Sequence, residues 1–396
     1  LIILPVTLRN YKVSGDPVFI AWQGGYNFYL GNNNQASGWS ATIPGIDQSW
    51  EGGYLQSIAI AEQAAKRKLT KSEVSDYWYS LAWNEIKKSP GSFAALQLKK
   101  LRLFINGYEI PNNQDIYISR WFAPIIKPLL FNKVIYFPFG LLAPLAIIGL
   151  IISFQNWRKY LIAYIVLSFY IISLQLFFVC ARYRQPLIPL MILFAVYAVF
   201  KLHEFFKLKK YKLLLILLIL LTGLLIESNH DILKLSPRRT KAENHLMLGI
   251  AFNEQQNSSK AAKEFEKAIE ADSSYALPYN NLGMLLAQRG STYEAIDLFR
   301  KAIAIDPLTV ESFFNLATAY LETNKIEMAT SLLEKAAQLH PYNDYVFLKL
   351  GMTYFEAGLI DKAKSSVMKS LQLNSSNQTA REFYQQLQAL PDSLKQ

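Results

Sequence analysis

The residues best suited to chemistry form a short run, Ala181-Arg182-Tyr183-Arg184-Gln185-Pro186, set between two strongly apolar segments. Two guanidinium groups at a membrane boundary would make a pre-charged site for a phosphate, which guanidinium grips through two parallel hydrogen bonds. The same composition also serves as an interfacial anchor, because Arg and Tyr gather at helix ends. On the residues alone both readings stay open. A second basic group, Lys99, Lys100 and Arg102, interrupts the apolar stretch Phe93–Ile105. It suits contact with lipid headgroups, or equally the solvated face of an ordinary helix. The nearby acidic residues are Asp47, Glu51, Glu109 and Asp115. Each is expected to be structural. Glu109 and Asp115 flank a Pro-Asn-Asn turn, where carboxylates commonly bond backbone amides.

Other chemistries are excluded by what the chain lacks. No glycine-rich phosphate loop is followed by Lys-Ser/Thr, and no serine sits in a nucleophile elbow with a histidine partner. The single cysteine, Cys180, leaves no internal disulfide and no cysteine-based zinc site. The four histidines are scattered without ligand spacing. No cofactor or metal site is therefore expected in this chain.

Those basic residues must be positioned by elements that the charge pattern outlines. Residues 1–240 hold 26 Lys and Arg against 12 Asp and Glu, a balance of +14, whereas residues 241–396 carry −3. The basic half is also the greasy half. That combination points to a bilayer surface and away from nucleic acid, since the basic residues flank apolar runs and form no stripe of their own. Uncharged runs of 24 residues (134–157), 22 residues (160–181), 16 residues (185–200) and 14 residues (213–226) follow one another. Four membrane helices are expected, at 134–155, 160–180, 186–202 and 211–226, the last short for a span. Arg158 and Lys159 lie in one connection, and Lys201, Lys207, Lys209, Lys210 and Lys212 in the connection two crossings later. The positive-inside rule makes that side cytoplasmic. The 182–184 turn and residues 10–130 then lie outside, as does the C-terminal region if the fourth segment spans. Residues 1–9 read as the end of a preceding apolar helix, and the chain as a piece of a longer protein.

Residues 10–130 are expected to be a mixed, folded extracytoplasmic loop domain. Val18–Trp22 and Asn27–Leu30 read as short strands by their β-branched and aromatic content. Thr70 with Glu73 three residues on reads as a capped helix start.

Self-similarity at a period of 34 dominates the C-terminal region. Gly249, Gly283, Ala317 and Gly351 are spaced by 34, as are Ala261, Ala295, Ala329 and Ala363, and Ala268, Ala302, Ala336 and Ser370. Phe265 and Phe299 follow the alanines, and Pro307 and Pro341 close their units. This pattern resembles the tetratricopeptide repeat (TPR). It predicts an α-solenoid over 241–390, with repeats 242–275, 276–309, 310–343 and 344–377 and a capping helix at 378–390. The resemblance implies a concave groove lined by Ile250, Leu277, Met284, Phe314, Leu321, Leu348, Met352 and Phe355. Basic residues are absent from the groove positions, so a peptide's terminal carboxylate is not the expected ligand. A hydrophobic peptide or partner helix is, unless the stripe is inter-repeat core.

A second resemblance covers most of residues 1–230. Gly25-Tyr26-Asn27-Phe28-Tyr29-Leu30-Gly31-Asn32-Asn33, Glu109-Ile110-Pro111-Asn112-Asn113-Gln114-Asp115 and Ala181 to Pro189 look like segments of bacterial GT-C membrane glycosyltransferases of the protein O-mannosyltransferase-like kind (family 39). The resemblance implies a polytopic bundle in the bacterial inner membrane and a polyprenyl-phosphate-linked sugar donor used at the outer leaflet. It implies that Arg182 and Arg184 approach the donor phosphate and that Lys99, Lys100 and Arg102 guide the headgroup. The catalytic acid of such enzymes belongs to an N-terminal outer loop that this stretch does not hold, so this chain alone is expected to be inactive. A membrane-anchored TPR scaffold for envelope assembly, and a polysaccharide polymerase or ligase, are the alternatives.

Overall fold

The computed structural model describes residues 4–390 apart from 17, 19–20, 41–42, 44–45, 47–49, 111–124, 126–134 and 234–235. The protein is mainly α-helical, with no strand among the described residues. Its chain divides into two compact units, one of residues 1–43 and 70–234, the other of residues 44–69 and 235–396.

The first unit begins with α1 (Leu4–Ser14) and α2 (Gly24–Asn32). Chain order then gives α3 (Trp50–Ala65), which belongs to the second unit. The first unit resumes with α4 (Lys71–Lys88) and α5 (Pro90–Ile105). The expected strand at Asn27–Leu30 is corrected here, because those residues lie inside α2. Aromatic packing overrides their β propensity: Tyr26 and Tyr29 meet Trp78 of α4 at centroid distances of 5.1 and 5.0 Å, and Phe28 meets Tyr79 at 5.4 Å. Val18, Ala21 and Trp22 are not in a strand, and Phe19 and Ile20 lie outside the described residues. The mixed character expected for the loop domain is thus replaced by helices. At the start of α4 the Thr70 hydroxyl accepts from the Glu73 amide while Glu73 accepts from the Thr70 amide, the reciprocal cap expected from the sequence.

The apolar helices follow: α6 (Phe139–Ser153), α7 (Leu161–Leu176), α8 (Ile188–Lys207) and α9 (Tyr211–Ser228). Among the described residues, three helical runs are long and apolar enough to cross a membrane: Phe139–Leu176, Ala181–Lys207 and Tyr211–Ser228. The first of these joins two of the segments read separately in the sequence. A 3₁₀ stretch, Phe154–Tyr160, links them, and Asn156 (φ −115°, ψ 35°) breaks its helical geometry. The α6 helix packs against α8 and α9. Small residues (Ala143, Ala146, Ala195, Ala198) bury at these faces and let the backbones approach. The outer faces stay apolar and uncovered, with Ile162 80% and Phe169 77% exposed on α7.

The second unit holds α3 and a stack of helix pairs: α10 (Pro237–Glu254) with α11 (Ser258–Ala271), α12 (Ala276–Gln288) with α13 (Thr292–Ile305), α14 (Val310–Glu322) with α15 (Ile326–Leu339), and α16 (Asp344–Glu356) with α17 (Ile360–Leu373). The closing α18 is Gln378–Gln388. The 34-residue spacing has a direct cause in packing. A Cβ added to Gly283 would lie 2.7 Å from the Phe299 ring, so the first helix of the pair must lack a side chain where the second inserts one. Leu316, Tyr320, Leu333 and Leu348 carry the core from one pair to the next.

Candidate functional site

The chain between α7 and α8 collects the segments singled out in the sequence. Its amide at Val179 donates to the Gly38 carbonyl, and that at Ala181 donates to the Ile110 carbonyl, both at 2.9 Å. Gly31 of α2 comes so close to this stretch that a Cβ there would sit 2.1 Å from the Phe177 carbonyl oxygen. Next to it the Asn32 side-chain amide donates to the Leu176 carbonyl at 2.7 Å. The glycine and asparagine of one segment, the Glu109-Ile110 pair of another and the arginine turn of a third therefore meet at residues 176–184.

The two arginines of the turn have different surroundings. Arg184 is 1% exposed. Its guanidinium donates to the carbonyls of Leu103, Phe104, Asn106 and Tyr108 and to Oε2 of Glu109 at 3.0 Å. It also lies over the Phe139 ring at 4.1 Å. These carbonyls are freed where α5 ends, and a planar, permanently charged donor fork satisfies several at once. The expected role of Arg184 as a phosphate ligand is corrected accordingly: the residue is buried, and both its terminal nitrogens donate to the protein. Arg182, two residues earlier, is exposed.

The three basic residues of α5 also separate. Lys100 is fully buried, and its Nζ donates to Asn32 Oδ1 at 2.9 Å and to the Gln175 carbonyl at 2.8 Å. Burial brings its pKa down to about 7, because the charged form loses its hydration. A headgroup contact by Lys100 is thus corrected to an internal tie between α2, α5 and α7. Arg102 is engaged in an ion pair with Glu227 at the end of α9. Lys99 is half-buried and lines a cleft.

That cleft, of about 240 Å³, was not singled out by sequence reasoning. It lies among the C-terminal end of α2, the end of α4 and the start of α5, and is lined by Asn34, Glu85, Ser89, Ser92, Phe93 and Lys99 among others. Glu85 is held by two donors: the Tyr29 hydroxyl at 3.0 Å on Oε1 and the Asn34 amide at 2.7 Å on Oε2. Burial, reinforced by this carboxylate, raises the Tyr29 phenol above its usual range and keeps it a donor. Of the other acidic candidates, Asp47 and Asp115 lie outside the described residues, and Glu51 falls within α3.

In the repeat unit Leu277 and Phe355 are exposed at 37% and 39%. Ile250, Met284, Phe314, Leu321 and Met352 are half-buried against the repeat cores. Leu348 is corrected from groove to core, at 3% exposure. Phe355 packs edge-on against Phe383 of α18, with centroids 5.7 Å apart. A polar rung missed in the sequence joins neighbouring repeats, where the Asn315 side chain donates to Asn280 Oδ1 at 3.0 Å. The apolar stripe hid it, since single asparagines carry no periodic signal.

Comparison with known proteins bears on the repeat unit. Residues 274–341 and 345–377 match the tetratricopeptide repeat. No curated protein matches the chain. Among solved structures, PilF of Pseudomonas aeruginosa is 25% identical with a TM-score of 0.36, over 38% of this chain and 69% of that one. MamA of Desulfovibrio magneticus RS-1 is 16% identical with a TM-score of 0.34, over 37% and 83%. The first TPR of Spaghetti, bound to an HSP90 peptide, is 26% identical with a TM-score of 0.28, over 30% and 93%. With the 34-residue spacing, the paired helices and the matched segments together, the C-terminal region is a tetratricopeptide-repeat domain, a protein-interaction module.

Proposed function

We propose that this chain is the C-terminal part of an integral-membrane glycosyltransferase of the GT-C kind, which takes a polyprenyl-phosphate-linked sugar at the outer leaflet of a bacterial inner membrane. The observation that carries the reading is the convergence at residues 176–184. Asn32, Ile110 and Arg184 belong to three segments far apart in sequence, and each is bonded to or within that stretch. The uncovered apolar faces of α7, α8 and α9 support a lipid environment, because contiguous apolar surface on this scale marks membrane contact. Arg182 is the exposed cation of the turn and is assigned to the donor phosphate, with Arg184 holding the turn in place. The TPR domain recruits a protein or peptide partner, with Leu277 as an exposed apolar contact.

The test is transfer from a polyprenyl-phosphate sugar by the full-length protein in liposomes. Arg182→Ala is expected to lower turnover about 100-fold, the usual effect of losing one charge-stabilising donor, with folding unchanged. Unchanged turnover would remove Arg182 from the mechanism. A full-length protein whose only measurable activity is capture of a protein partner would favour a scaffold.

A further inference from the structure

We propose that the cleft between α2, α4 and α5 binds one ring of a neutral polyhydroxy ligand, a saccharide, through Glu85, Asn34, Ser92 and Lys99. The argument starts from charge. One carboxylate and one ammonium group line the cleft, so it carries no net charge, and the Glu85 carboxylate opposes a phosphate. Neither charged group is matched to the other by an ion pair. Glu85 is instead fixed by neutral donors, the Tyr29 hydroxyl and the Asn34 amide. An ionised carboxylate offers about four acceptor positions, and two of these are used. The rest can accept from a pair of neighbouring hydroxyls, a geometry that a vicinal diol supplies.

The remaining lining fits the same chemistry. Ser89, Ser92 and Lys99 have no side-chain hydrogen-bond partner among the described residues, so their donors are available to hydroxyl oxygens. Phe93 and Leu96 give the cleft an apolar wall for the carbon–hydrogen face of a ring. Its volume, about 240 Å³, is below the ~300–1,000 Å³ of pockets that take drug-sized ligands, which limits the occupant to a small unit. The floor is rigid. Asn32, at the base, accepts from Gln97 and Lys100 and donates to the Phe28 and Leu176 carbonyls. A site whose support is locked in this way loses little entropy when a weak ligand binds.

The assignment of this ligand as the acceptor or donor sugar rests on the transferase reading, but its binding does not. Saturation-transfer NMR on the whole protein, in a detergent without a sugar headgroup, reads binding directly. The probes are free glucose, mannose, galactose and N-acetylglucosamine, with inorganic phosphate as the anion. At least one monosaccharide is expected to bind. Its affinity should fall at least five-fold in Glu85→Gln and vanish in Ala95→Trp, which fills the cleft from an exposed position of α5, with the circular dichroism of both variants unchanged. No sugar signal, or a signal that survives in Ala95→Trp, would overturn the proposal. So would phosphate binding that is lost in Lys99→Met while no sugar binds. Sugar binding lost in Ala95→Trp, alongside full transfer by Arg182→Ala, would sink the phosphate role of Arg182 and leave the cleft standing. Full transfer by an Ala95→Trp variant with no sugar binding anywhere would sink the cleft and leave the transferase.

Discussion

In the repeat unit, Gly283 leaves a hollow that the Phe299 ring fills, and the core that joins the helix pairs is built mainly of apolar side chains. In the other unit, the deepest side chains by volume are Arg184 and Lys100, each committed to backbone carbonyls and to an acidic or amide side chain. Both arrangements fix helices in place, but against different competitors. Water drives apolar side chains together, so shape alone selects a partner in the repeats. On the membrane reading proposed above, lipid is as apolar as leucine and would give the apolar helices no such drive. A unit with apolar helices gains specificity from directional donors, whose geometry a slipped helix cannot satisfy.

The sharpest way to break this contrast is Arg184→Met. It keeps the length of the side chain but leaves Glu109 and four carbonyls without their donor. Loss of one partner from a buried charge pair costs about 3–5 kcal/mol, and the first unit should unfold at a correspondingly lower denaturant concentration while the repeat unit keeps its own transition. A mild loss would mean that the turn is held by apolar packing after all.

Lys100 gives the next largest effect, through pH. Its pKa in the folded protein, about 7, is below its unfolded value, so between pH 7 and about 10 the unfolded state binds more protons and stability rises with pH. Below pH 7 the ammonium is charged in both states, and the burial penalty is present in full. From pH 7 to 9 the gain approaches about 2–3 kcal/mol, at ~1.4 kcal/mol per unit for one proton. Thermal melts of the wild type should show this slope, and Lys100→Met should flatten it. An equal slope in both proteins would place the lysine in water.

In the repeats, Gly283→Val puts two methyl groups where Phe299 already sits. Overpacking of this kind costs about 1–3 kcal/mol. The effect should stay local, seen as faster amide exchange in α12 and α13 with the melting of the first unit unchanged, because stacked repeats contact only their neighbours. Exchange that quickens equally in every repeat would show a cooperative stack instead.

Legibility in the sequence divides along the same line. The repeats were readable because shape complementarity demands a small residue at a fixed place, and Gly249, Gly283 and Gly351 announce it. The apolar runs were readable from length alone, and Thr70 with Glu73 from their spacing. Directional ties left no such trace. Arg182 and Arg184 are identical in type and two positions apart, yet one is exposed and the other in the core. Lys99 and Lys100 also differ, half-buried against fully buried, because a hydropathy pattern counts every lysine as solvated. Glu85 went unnoticed because it lies outside the motif-bearing segments, and its partners Tyr29 and Asn34 come from across the fold. Asn27–Leu30 misled because its aromatics favour strands in general, whereas here Trp78 and Tyr79 hold them in a helix.

The placement of α3 sets a condition on how the molecule is made. Residues 44–69 join the repeat unit, and Glu62 and Arg67 of that stretch line one cavity with Lys369 and Gln372 of the last repeat. A ribosome polymerises α3 early and its partner helix about 300 residues later, which at ~5–20 residues per second is a wait on the order of 15–60 s. For that interval the segment exists ahead of the surface it will join. A C-terminal truncation just before the last repeat would therefore strand a helix near the opposite end of the chain.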